Sequence, residues 1–219
     1  MPYYVRLMRK EDITQVTEID REAFPGQWPP PNYQHELRNR LAHYIVVCDE
    51  ERTANNPEVK ASSDRGSVGL TAKLRQLFNR NSFFGDKVSS STRDYIVGFA
   101  GFWVMADEVH LISIAVRETY RRQGLGELLL ISVINLAVEL EARMATLEVR
   151  VSNTDAQNLY TKYGFIQTNV RRGYYIDNRE DGIQMSVQDI TSVVFQTQFQ
   201  ELKHSHSTKC GMALYQVVR

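Results

Sequence analysis

Between Ile114 and Glu127 the chain reads IAVRETYRRQGLGE. An apolar stretch rich in β-formers ends, Arg121-Arg122-Gln123-Gly124-Leu125-Gly126 turns, and an apolar helical pattern begins. Glycines at such a junction let backbone come close to an anion. The unpaired N–H groups of a helix start then point at that anion, aided by the positive end of the helix dipole. Arg121 and Arg122 add charge nearby, so the physics suits a pyrophosphate-type ligand, and a side chain at Gly124 is expected to stand between backbone and ligand. Glycine pairs also open helices that bind nothing, so these residues alone leave the ligand open. A dinucleotide fingerprint is a poor competitor, because Leu129 occupies the place of its third glycine. A Walker loop is excluded, since no Gly-Lys-Ser/Thr follows.

Other polar residues sit where chemistry is possible, each with a plainer reading beside it. Glu148 lies inside the strand pattern ATLEVRV, and alternation points it away from the face of Leu147 and Val149. Its plainer reading is a sheet-face glutamate paired with Arg150. Tyr160 lies in a helical pattern that would equally bury it in a core, and Asn153 stands where a helix N-cap belongs. His110 reads as a strand residue, and His204-Ser205-His206 as a solvated tail. No His, Cys, Asp or Glu cluster has convincing metal-ligand spacing, so no metal is expected. No Ser/His/Asp set stands in a nucleophile-elbow context, which argues against covalent catalysis.

The elements that must position these residues follow from periodicity. Strands are expected at Tyr3 to Met8, His43 to Cys48, Tyr95 to Met105, Val109 to Val116, Ala145 to Val151, Phe165 to Val170 and Ile183 to Val187. Helices are expected from Lys10 with Ile13, Val16, Ile19 and Ala23 on one face, from Asn32 to Ala42 with Leu37 and Leu41 inward, from Gly124 to Arg143, and from Asp155 to Tyr163. Residues 50–93 turn polar, with a length far beyond the roughly 4–6 residues of an ordinary loop. They read as an insertion, within which Leu70, Leu74, Leu77 and Phe78 share one helical face.

The 219 residues suit one domain with attachments, and 42% hydrophobic residues allow a real core. Lys+Arg and Asp+Glu are both 26, so no global field argues for nucleic acid. Two distant cysteines, Cys48 and Cys210, offer neither a disulfide framework nor a zinc spacing. The charged N-terminus is unlike a signal peptide, and no stretch reaches the ~18 apolar residues of a membrane span. A cytoplasmic protein is expected.

Arg-Arg-Gln-Gly-Leu-Gly resembles the pyrophosphate loop Arg/Gln-x-x-Gly-x-Gly/Ala of the GNAT superfamily of N-acetyltransferases. Leu147 to Asn153 (LEVRVSN), Ala156 to Tyr160 (AQNLY), Tyr163-Gly164-Phe165, Arg171 to Tyr175 (RRGYY) and Arg179-Glu180-Asp181 resemble, in order, the RimI-type branch, which acetylates a ribosomal protein at an N-terminal alanine. Ala23-Phe24-Pro25 is similar to that branch's first interhelix loop. The resemblance implies an α+β fold with a mixed, mostly antiparallel central sheet, a splayed strand pair and flanking helices. It implies one domain over residues 1–187, interrupted by the insertion at 50–93, with a C-terminal extension at 188–219. Acetyl-coenzyme A is then the donor, bound by Ile114, Ala115 and Val116 along the splayed strand, by Arg121, Arg122, Gln123, Gly124, Leu125, Gly126 and Glu127 in the loop, and by Asn153. Glu148 becomes the general base and Tyr160 the acid that protonates the leaving thiolate. Tyr174, Tyr175 and Trp28 would hold the acceptor.

The expected partner is a protein or peptide N-terminus, with an Ala-initiated ribosomal protein among the candidates. Two other readings stay open: an acetyltransferase of small amines, which a narrow acid-walled pocket would favour, and a non-catalytic module that binds coenzyme A or docks a partner. Asn178 and Gly182 depart from the branch's usual Gly and Ala around Arg-Glu-Asp, which leaves the acceptor open.

Overall fold

The computed structural model describes residues 3–27, 29–54, 93–211 and 217. Seven stretches become strands: Tyr3–Leu7 (β1), Ala42–Thr53 (β2), Asp94–Met105 (β3), Glu108–Val116 (β4), Met144–Arg150 (β5), Ile166–Tyr175 (β6) and Glu180–Val187 (β7). They form one sheet in the order β1-β2-β3-β4-β5-β7-β6. Every neighbour is antiparallel except β4 and β5, which run parallel.

Alternation sends side chains of one strand to two different cores. Ile45 and Val47 of β2 pack with α3 (Leu125–Glu139), whereas Tyr44, Val46 and Cys48 pack with Val16 and Ile19 of α1 (Ile13–Ala23). Helix α3 is apolar nearly all round and lies deep in the first core. Its one buried hydroxyl, on Ser132, is satisfied by donating to the Leu128 carbonyl at 2.9 Å. Such an embedded helix gives its N-terminus a fixed place at the end of β4.

Three expectations need correction. The helix expected over Asn32 to Ala42 is the short α2, Tyr33–Glu36. It ends there because the Asn39 side chain turns back to accept the Leu41 N–H at 3.1 Å, a local bond that competes with helix. Leu41 is accordingly exposed. Strand β2 runs into the segment read as an insertion: Thr53 pairs with Asp94, and Ala54 N–H donates to the Arg93 carbonyl at 2.8 Å. The expected helical face of Leu70, Leu74, Leu77 and Phe78 lies outside the described residues.

The third correction is at the C-terminus. Residues Val193–Cys210 form α4's successor, a long helix α5 (α4 being Thr154–Lys162), capped by the Ser192 hydroxyl and ended by Gly211 with φ 62°. Phe199 is buried, edge-on to Tyr163 at 6.2 Å. His206, read as part of a solvated tail, is 2% exposed.

Candidate active site

The site begins where β4 and β5 part. Their parallel ladder pairs Glu108–Leu111 with Met144–Leu147 and goes no further. Directly after it, β4 carries a bulge: Phe102 faces Leu111 and Gly101 faces Ser113, so Ile112 is the extra residue. A bulge bends its strand and increases local twist. From there β4 follows β3, and β5 follows β7. Among the described residues no strand pairs with the edge of Ile112–Val116 that faces β5. A cleft of about 390 Å³ opens in the gap, lined by Ile112, Ser113 and Ile114 on one side and Glu148, Tyr160, Tyr174 and Tyr175 on the other.

At the far end of β4 lies the glycine loop. Arg122 and Gly124 both take left-handed backbone, φ 62° and 82°, and the first helical bond of α3 runs from Leu128 N–H to the Gly124 carbonyl. The N–H groups of Leu125, Gly126 and Glu127 therefore precede the helix ladder and face outward. A Cβ built on Gly126 meets nothing within 4 Å among the described residues, so this face is open for a ligand. Gly124 differs from the expectation. A Cβ there would meet Cys210 Sγ at 2.6 Å and His206 Nε2 at 2.9 Å. Glycine is required at 124 by its backbone angle and by α5, not by the approach of a ligand.

The loop's side chains are largely committed elsewhere. Arg121 Nε donates to the Val116 carbonyl at 3.3 Å, and Arg122 pairs with Asp155 at 3.0 Å, both at the surface. Gln123 accepts from the Tyr3 hydroxyl at 3.2 Å. Glu127 accepts from Tyr163 at 2.7 Å and from Lys162. Burial acts to raise its pKa, but these partners hold the carboxyl below its ordinary range.

Glu148 sits at the apex of the cleft, with its side chain 5% exposed. The plainer pairing with Arg150 does not occur, because Arg150 is held by Asp177 at 2.8 Å and Glu180 at 3.1 Å. Oε2 of Glu148 lies 3.1 Å from His110 Nε2. Oε1 lies 3.1 Å from the half-exposed guanidinium of Arg171, but in a geometry that makes no hydrogen bond. Buried carboxylate oxygens are normally satisfied; this one has the Arg171 charge beside it and no hydrogen bond among the described residues.

His110 was read as an ordinary strand residue, and its place here is a finding. Its Nδ1 lies 2.8 Å from the Thr146 hydroxyl, which in turn donates to Glu108. An ionised carboxylate only accepts, so the single hydroxyl proton of Thr146 goes to Glu108 and His110 Nδ1–H must donate to Thr146. Nε2, 3.1 Å from Oε2 of Glu148, is the ring nitrogen left to meet that carboxylate. The pair is attractive when it holds one proton between Nε2 and Oε2. Only the register His110↔Thr146 across the parallel ladder brings these residues together, and one strand read alone does not carry that register.

Tyr160 is buried, its ring 5.8 Å from Phe165, and burial pushes its hydroxyl up to about 12. Asn153 is the N-cap of α4, its side chain accepting the Ala156 N–H at 3.2 Å. Tyr174 and Tyr175 stand edge-on at 5.1 Å, under Arg171 and Arg150 respectively. Burial raises both hydroxyls, and the charge of Glu148 adds to the effect. Gly182 makes room for this arrangement, since a Cβ there would stand 3.0 Å from the Tyr174 ring. Asp20 of α1 lines the opposite wall, nearly buried; its carboxyl is raised by burial, against the 2.8 Å bond from Tyr33. Trp28 lies outside the described residues. Among the described residues no three His, Cys, Asp or Glu side chains are grouped to hold a metal ion, and no helix is long and apolar enough to cross a membrane.

A parallel pair that splays behind a bulge, with a glycine loop opening an embedded helix at its end, is the arrangement that the resemblance to the acetyl-coenzyme A-dependent acyltransferases implied. The model of the acetyltransferase (GNAT) family matches residues 60–165. A Bacillus subtilis (strain 168) protein assigned as a [ribosomal protein bS18]-alanine N-acetyltransferase is 33% identical over 184 residues, covering 84% of this chain and 93% of its own. An N-alpha-acetyltransferase of Sulfurisphaera tokodaii is 47% identical over 179 residues, covering 81% and 89%. The crystal structure of the ribosomal-protein-S18-alanine N-acetyltransferase from Escherichia coli shares the fold, with a TM-score of 0.58 at 22% identity over 87% of this chain and 97% of that one. The chain belongs to the GNAT family and is an acetyl-CoA-dependent N-acetyltransferase of RimI-like type.

Proposed function

We propose that this enzyme acetylates the N-terminal α-amine of a protein, with an Ala-initiated ribosomal protein as the first acceptor to test. The observation that carries the reading is Glu148 Oε1, a buried acceptor with no hydrogen-bond partner among the described residues, at the apex of the β4–β5 splay. The names of the Bacillus and Sulfurisphaera relatives point the same way.

Acetyl-CoA, when bound, supplies the acetyl thioester. The residues present fit it: three outward N–H groups at the start of α3 suit its pyrophosphate, Gly126 leaves their approach open, and the free edge of Ile114, Ala115 and Val116 suits an extended amide-bearing arm. Arg121 and Arg122 add surface charge, and Asn153 borders the same gap. Glu148 takes the proton of the entering ammonium at Oε1, while His110 Nε2 stands against Oε2 and holds the carboxylate in place. Tyr160, still protonated at any physiological pH, gives its proton to the leaving sulfur. Tyr174 and Tyr175 line the acceptor's path with apolar faces and hydroxyls suited to peptide backbone.

Asp20 favours a second reading, in which a small polyamine-like acceptor is drawn to an acidic wall. Two peptides separate the readings: one Ala-initiated with its lysines blocked, one with a blocked α-amine and a free lysine, run beside spermidine. Acetylation confined to the first supports the proposal. Equal or better transfer to the lysine peptide or to spermidine overturns it.

A further inference from the structure

The C-terminal helix α5 ends against the cofactor loop. His206 Nε2 lies 2.9 Å from the Gly124 carbonyl oxygen, and Cys210 Sγ lies 3.8 Å from that of Gln123. The two side chains also approach each other, 3.6 Å apart, in the space that a Cβ on Gly124 would fill. The helix is anchored about two and three turns before His206 by Phe199 and Phe195, which stack on each other, and Phe199 reaches Tyr163.

The Gly124 carbonyl matters because of what is bonded to its other side. In a trans peptide the C=O of one residue and the N–H of the next point in opposite directions. Whatever holds the Gly124 oxygen therefore aims the Leu125 N–H. That oxygen already accepts Leu128 N–H at 2.9 Å as the first bond of α3. His206 fills its second acceptor site. The Gln123 oxygen, turned toward Cys210, likewise aims the Gly124 N–H. Both carbonyls, which would repel a phosphate, are thus held on the α5 side, and the amides are left on the ligand side. Without His206 the Leu128 N–H alone would hold this peptide plane, beside a glycine with φ 82°.

We propose that α5 is a positioning element for the acetyl-CoA loop and that His206 is its positioning residue, holding the Gly124–Leu125 peptide so that its N–H faces the pyrophosphate. This rests on acetyl-CoA use alone and is independent of the acceptor's identity. His206 is not among the residues that line the β4–β5 cleft, so its effect falls on donor binding and leaves the chemical step alone.

The test compares His206→Gln, whose amide nitrogen can reach the same carbonyl, with His206→Met, which fills similar volume with no N–H, and with His206→Ala. Coenzyme A affinity is read by calorimetry, kcat and the KM for acetyl-CoA by steady-state assay, and the fold by thermal melting. The account expects Ala and Met to weaken coenzyme A roughly three- to tenfold, the worth of one hydrogen bond. It expects kcat at saturating acetyl-CoA to change less than about twofold, and Gln to restore affinity. Should the Ala variant fail to fold, the Gln and Met pair decides alone. Equal affinity of Gln and Met, or a fall in kcat and melting temperature with unchanged KM for acetyl-CoA, overturns the proposal.

Discussion

The glycine loop and the β4–β5 cleft lie at the two ends of one strand edge and offer a ligand different kinds of atom. In the loop the polar side chains are spent on the protein itself: Arg122 on Asp155, Gln123 on Tyr3, Glu127 on Lys162 and Tyr163. What faces outward is backbone N–H. In the cleft β4 keeps one backbone edge free, and what faces inward beside it is carboxylate, imidazole and phenol from Glu148, His110, Tyr160, Tyr174 and Tyr175. The difference teaches where each half is vulnerable. The loop should tolerate loss of side chains and fail when backbone access is blocked. The cleft should fold after polar substitutions and fail in chemistry.

The largest effect belongs to the cleft. Glu148→Gln should lower kcat by about 10²–10⁴-fold, the usual worth of a general base, with coenzyme A affinity unchanged by calorimetry. Gly126→Val fills the open face of the loop and should weaken coenzyme A by roughly tenfold or more, as one or two charged hydrogen bonds are lost. Arg122→Ala, at the same loop but on a surface ion pair, should cost less than about threefold in the same titration. A large Arg122 effect with a small Gly126 effect would reverse the contrast. Tyr160→Phe should slow turnover by about tenfold or more while a donor with a better leaving thiol recovers part of the loss. Tyr174→Ala with Tyr175→Ala should raise peptide KM several-fold, about the worth of the lost aromatic contacts, with KM for acetyl-CoA nearly constant.

The sequence was legible where neighbouring residues decide structure. Alternation marked β1, β3, β4 and β5, and the apolar run after Gly126 marked α3. Strand β6 reaches Tyr175, beyond the Val170 read for it, because nearly all of it is exposed and lacks an apolar face. Helix α5 was missed for a related reason. Val193 and Val194 at its start are 81% and 71% exposed, while a histidine near its end is buried, so no apolar stripe announces it. The loop at 121–126 was legible as a strand-to-helix turn, yet the reason for Gly124 was not, since its neighbours Cys210 and His206 come from more than eighty residues away. His110 depends on strand register in the same way. Long-range pairing is what one chain read in order does not display.

The central claim is that Glu148 removes a proton from an entering α-ammonium. A peptide α-amine has a pKa of about 7.7–8.0, so between pH 7 and pH 9 it loses that proton without help. Tyr160, raised to about 12, stays protonated throughout that range. The direct measurement is kcat/KM of the parent enzyme and of Glu148→Gln on an Ala-initiated peptide across those two units. The account predicts that the variant recovers roughly five- to tenfold more than the parent as the pH rises, following the free-amine fraction. Parallel profiles, with a defect as large at pH 9 as at pH 7, would contradict it.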